Sequence, residues 1–172
     1  MPSIVMTLIG NDRPGLVDSL SATILQHGAN WTESRMAHLA GQFAGILRVE
    51  VLDENRDALI AALERLDEIG LKVILQKDDA SAQSATGPVV HLELVGNDRP
   101  GIVRDVSHVL SDLQVNVEEI STECRPSPMS GGELFHATAR LQLPADRSVS
   151  ELRSRLEAIA ADLMVDMTLS ES

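Results

Sequence analysis

The chain has almost no aromatic residues: Trp31, Phe43 and Phe135 are the full set, and tyrosine is absent. Single-stranded nucleic acid is held largely by aromatic faces on which bases stack, so no such platform is encoded. Positive charge is scarce too, with 14 Lys and Arg against 26 Asp and Glu, for a net charge of −12. Lys and Arg contacts to phosphate supply most sequence-independent affinity for a duplex, and no basic stripe is present to make them. The densest arginines, Arg147, Arg153 and Arg155, are interleaved with Asp146, Glu151 and Glu157 and read as a solvated helix face. One cysteine, Cys124, excludes an intrachain disulfide framework and suits a reducing cytosol. No apolar run approaches the roughly 18 residues that a membrane span needs. The start, Met1-Pro2-Ser3-Ile4, lacks the basic region and cleavage site of a signal peptide. These absences predict a cytoplasmic protein that grips neither nucleic acid nor membrane.

What is present is a repeat. Gly-Asn-Asp-Arg-Pro-Gly occurs at Gly10–Gly15 and again at Gly96–Gly101. Each copy follows an apolar strand pattern and opens an amphipathic helix pattern, so one unit occurs twice. The small, polar stretch Lys77 to Pro88 has nothing to bury and reads as a connection. Two domains are expected, 1–77 and 88–172, joined by a linker at 78–87.

The halves run in parallel. Ile4, Met6 and Leu8 form the buried face of a first strand, matched by Val90, Leu92 and Leu94. Leu16, Leu20 and Ile24 form the apolar stripe of a helix, matched by Ile102, Val106 and Leu110. Asn30 and Asn116 open long second strands. Their inward parity changes near Thr32–Glu33 and Glu118–Glu119, as a β-bulge would produce, and Cys124 falls in the inward set. Third strands align Phe43 to Val51 with Phe135 to Leu143, displaced by the insertion Arg125 to Gly132. Second helices carry Leu59, Leu63, Leu66 and Ile69, and Val149, Leu152, Leu156 and Ile159. Closing strands are expected at Leu71–Gln76 and Leu163–Leu169. The order is βαββαβ, twice. A single apolar stripe on each helix places both helices on one face of a four-stranded antiparallel sheet, the ferredoxin-like α+β arrangement.

The repeated turn carries the chemistry. Proline is favoured at the first helical position, and Asp12 and Asp98 are placed to accept from the N–H groups of the first turn. Gly15 and Gly101 leave the backbone open to close approach. A helix N-terminus with exposed donors and a positive dipole end seats a carboxylate, and Asn11 and Asn97 add a donor and an acceptor each. The same residues also make an ordinary strand-to-helix turn, so the turn alone leaves binding and plain structure both open. The five histidines show no metal-ligand spacing, no turn carries a nucleophilic serine, and no phosphate loop occurs, so neither catalytic nor metal site is expected. Trp31, beside Asn30, belongs either to the core or to the wall of a site.

Two βαββαβ units, each with an Asp-Arg-Pro-Gly turn and an Asn opening the second strand, resemble the ACT domain family of amino-acid sensors over nearly the whole chain. The segments Val115 to Glu123, Pro126 to Gly132, Leu134-Phe135-His136 and Leu143 to Asp146, with Glu33-Ser34-Arg35, resemble a subgroup of that family that represses transcription of the glycine cleavage system. The resemblance implies a non-enzymatic, amino-acid-responsive regulator without a cofactor. Its ligand would be glycine or a similar small amino acid, and it would act through a protein partner such as a DNA-binding activator. Family ligands lie where the strand–helix turn of one unit meets the second strand of a neighbour. The implied contacts are Asn11, Asp12, Pro14, Gly15 and Asn30, and Asn97, Asp98, Pro100, Gly101 and Asn116. The glycine usual two residues before the Asn is present as Gly28, but its counterpart is Gln114, and Trp31 stands where a small aliphatic residue is usual. The alternative is a regulatory ACT subunit attached to an amino-acid metabolic enzyme. A homodimer is compatible with either reading.

Overall fold

The computed structural model describes residues 2–76, 86–129 and 131–172. The chain divides into two compact units, Met1–Ala82 and Gln83–Ser172. The expected linker, 78–87, lies outside the described residues apart from Thr86 and Gly87.

The first unit runs β1 (Ser3–Asn11), α1 (Leu16–Gln26), β2 (Asn30–Leu39), β3 (Gln42–Glu50), α2 (Asp53–Glu64), a 3-10 turn (Arg65–Ile69) and β4 (Leu71–Gln76). The second runs β5 (Val89–Asn97), α3 (Ile102–Asp112), β6 (Asn116–Pro126), β7 (Glu133–Gln142), α4 (Val149–Leu163) and β8 (Val165–Glu171). Strand order is β2-β3-β1-β4 in one sheet and β6-β7-β5-β8 in the other, with every pair antiparallel. This is the ferredoxin-like fold expected from the repeat, made twice.

Strand alternation decides which face is covered. Ile4, Met6 and Leu8 are buried with Leu47, Val49, Leu20 and Ile24, and the second unit buries Val90, Leu92 and Leu94 with Leu141, Val106 and Leu110. Fully burying an aliphatic side chain of this size is worth about 1.5–3 kcal/mol, so each unit has its own driving force. Both bulges are present: register shifts fall between Trp31 and Glu33 and between Val117 and Glu119.

Two boundaries and the placement of one side chain differ from the pattern. The stripe through Leu66 and Ile69 does not extend α2; that helix ends at Glu64 and tightens into the 3-10 turn, which closes at Gly70 with φ 88°. The last strand begins at Val165 rather than Leu163, because α4 continues to Leu163 and Met164 takes a left-handed φ of 55° to end it. Cys124 is exposed, not core. The equivalent strand of the first unit is drawn into the core by Trp31 and Met36. Val117 and Thr122 at those places are too small to do this, and the whole of β6 stays exposed at the sheet edge.

The repeated turns as a candidate ligand site

Each hexapeptide has two glycines with different tasks. A Cβ on Gly10 would stand 2.3 Å from the Gly70 carbonyl oxygen, and one on Gly96 would stand 2.6 Å from Val165. The first glycine therefore lets the neighbouring strand pass close by. The last glycine sets the helix start: Gly15 has φ 92° and Gly101 φ 97°, left-handed conformations that other residues adopt only with strain.

This geometry corrects the expected capping. Leu16 and Ile102 are the first helical residues and Gly15 and Gly101 the N-caps, so Pro14 and Pro100 lie one step outside the helix. Neither helix has a side-chain cap. Asp12 instead meets Nδ1 of His38 at 3.2 Å, and its backbone N–H donates to Gly41 at 2.9 Å. Asp98 donates from its backbone to Glu133 at 2.9 Å, and its carboxylate accepts from the Cys124 thiol. Both carboxylates are thus turned toward the second strand of their own unit, and the helix donors are left to solvent or a ligand.

His38 and Cys124 occupy equivalent places, opposite Phe43 and Phe135 respectively. Local desolvation, followed by the Asp98 and Glu133 charges, holds the Cys124 thiol above its usual range, so it is protonated at neutral pH. Next along the strand, hydrogen bonds from Arg125 and then His136 hold Glu123 below the usual carboxylate range.

The space above the two helix starts also differs. Nothing lies within 4 Å of a Cβ built on Gly15, whereas at Gly101 the Asp105 carboxylate lies 3.9 Å away. The first seat is open. The second has a like charge beside it for any incoming carboxylate.

Within one unit the implied contacts do not all converge. Asn11, Asp12, Pro14 and Gly15 cluster at one end of the sheet, where Asn11 accepts from Gln42 Nε2 at 3.1 Å. Asn30 pairs with Glu50, at the far end of β3. The nine residues of β3 separate the two ends, about 27 Å at roughly 3.3 Å per residue. Asn97 to Gly101 and Asn116 are separated in the same way by β7, since Asn97 pairs with Leu134 and Asn116 with Gln142. Neither Asn30 nor Asn116 has an unusual backbone angle; the left-handed positions are Gly28 and Gln114. Trp31 packs on the first core and donates from Nε1 to Ser34 Oγ at 3.2 Å, and so belongs to the core. The His38–Asp12 contact was not legible beforehand, because it joins residues distant in the chain that only the assembled sheet brings together.

The fold and the twin glycine-capped turns define a class, and the family comparison agrees: residues 3–76 match the model described as ACT domain. By that match the first unit is an ACT domain, and the second unit repeats its strand order. The chain resembles the glycine cleavage system transcriptional repressor of Escherichia coli, with 21% identity over 162 residues, 93% of this chain and 85% of that protein. The protein of the same description from Shigella flexneri matches equally. A crystal structure of an unknown protein from Galdieria sulphuraria superposes with a TM-score of 0.83 at 30% identity, covering 99% of this chain and 98% of that one.

Proposed function

We propose that this chain is a non-enzymatic regulator that binds a small amino acid at its glycine-capped turns and passes the signal to a protein partner. The observation that carries the reading is the open helix start at Gly15, where a left-handed glycine presents the first-turn donors with no side chain above them. A ligand carboxylate there gains the unpaired N–H groups and the positive end of the helix. Asn11, four residues before Gly15 at the end of β1, would add its side-chain amide, whose oxygen accepts from Gln42.

The relatives described as glycine cleavage system transcriptional repressors support transcription of that system as the process, and glycine is the ligand proposed with it. Regulation then runs through a protein such as a DNA-binding activator, since a chain of net charge −12 is repelled by phosphate. Among the described residues no group of His, Cys, Asp and Glu is arranged to hold a metal. No helix among them is long and apolar enough to cross a membrane.

A valine at Gly15 or Gly101 tests backbone strain as much as obstruction. Asparagine tolerates the left-handed conformation and places a side chain in the open space. In isothermal titration with glycine and other small amino acids, Gly15→Asn is expected to weaken binding at least tenfold with an unchanged circular dichroism spectrum. Gly101→Asn is expected to have a smaller effect. Wild-type affinity in the double variant would place the ligand elsewhere.

A further inference from the structure

β6 is a long strand at the edge of its sheet. It pairs with β7 on one side only, all 11 of its residues are exposed, and such an edge is a template for another strand. Edges are blunted by bulges, prolines and charge. Here the bulge lies at the start, before Glu119, and the proline is the last residue, Pro126. Between them the register is unbroken.

The two sides of this edge differ in chemistry. On the helix side a cleft of about 30 Å³ opens between α3 and β6, with the exposed Val103, Val117 and Ile120 at its mouth and Val106, Leu110 and Phe135 below. Ser107 is its one polar lining residue, so an aliphatic group suits it better than water. In the first unit Trp31 and Met36 pack onto the core from the equivalent strand, where β6 has Val117 and Thr122. Glu119 and Glu123 alternate with Ile120 and face away from the helices. Along β6, Glu118, Glu119 and Glu123 outnumber Arg125, whereas in β2 Glu33 is balanced by Arg35 at 3.9 Å.

We propose that β6 receives an extended segment of the protein partner as a fifth strand of the second sheet. Strand addition takes affinity from main-chain hydrogen bonds and selectivity from alternate side chains. Those on the helix side are aliphatic and enter the cleft; those on the other side are Lys or Arg and meet Glu119 and Glu123. A second copy of the chain suits the edge less, since it brings the same carboxylates and a net charge of −12. The inference rests on the reading that the chain acts through a protein, and it needs no bound amino acid.

Fluorescence anisotropy with a labelled peptide alternating valine and lysine tests this at physiological ionic strength, where loose charge attraction is screened. That peptide is expected to bind saturably. Valine–glutamate and serine–lysine peptides, and the valine–lysine peptide methylated at every backbone nitrogen, should bind about tenfold more weakly or not at all. Ile120→Glu and, separately, Glu119→Lys should weaken the first peptide to the same degree. Both residues are exposed, so circular dichroism and melting temperature should be unchanged. Glu33→Lys, at the equivalent place in the first unit, should bind as wild type. No saturable binding, equal binding of the methylated peptide, full binding by either β6 variant, or equal loss in Glu33→Lys would overturn the proposal. So would self-association in sedimentation velocity that Ile120→Glu abolishes, since the edge would then belong to a second copy. A rise in melting temperature with amino acids alongside any of these results would strike this inference alone and leave the ligand reading standing.

Discussion

Single side chains separate two units that share one fold. Asp12 and Asp98 are the same residue in the same turn, yet one meets an imidazole and the other a thiol. An ion pair with His38 fixes Asp12 whenever the imidazole is charged, whereas a thiol is a weak donor and holds Asp98 less firmly. The thiol is in turn kept neutral by its surroundings. The thiolate is the reactive form, so Cys124 is expected to alkylate slowly at neutral pH although it is exposed, and to quicken only well into the alkaline range. Removing the Asp98 charge removes part of what holds the thiol up, so Asp98→Asn should shift the rate–pH profile to lower pH. Iodoacetamide rates followed by mass spectrometry check both statements; an unshifted profile in Asp98→Asn would contradict the contact.

At the scale of elements, the parts legible in the sequence were those fixed by periodicity. Ile4, Met6 and Leu8 declare the covered face by alternation, and the parity change after Trp31 declares the bulge, because a shift of one residue turns every later side chain over. Contacts made across the fold were not legible. Pro14 appeared to begin α1, but a left-handed Gly15 delays it to Leu16. Cys124 shares the parity of a core residue, yet β6 lacks the bulk to reach the core. The implied ligand contacts looked like one set, whereas antiparallel return along β3 sends Asn30 to the opposite end from Asn11. The helix ends show how duplication diverges. Both α1 and α3 finish in a Schellman turn, with Ala29 and Val115 donating to Ile24 and Leu110 at 3.1 and 2.8 Å. The first has glycine at the left-handed position, φ 65°, and the second has Gln114 at φ 56°. Gln114→Gly should relieve that strain and stabilise the second unit by about 1 kcal/mol. A denaturant midpoint that does not rise would contradict it.

For the whole molecule, duplication gives two copies of one turn, and on the proposed function a signal travels as a difference between arrangements of the protein. A ligand shifts such an equilibrium only through unequal affinity for its states, and it stabilises the fold it binds by mass action, about 2.7 kcal/mol at a hundred times its dissociation constant. The central claim is that the turns seat an amino-acid carboxylate. Thermal melting of the protein against the full panel of amino acids, each paired with the amine that lacks its carboxylate, tests it most directly. Glycine or another small amino acid should raise the melting temperature in a concentration-dependent way, and the matching amine should not. A flat response across the panel, or an equal rise with the amine, would contradict the account.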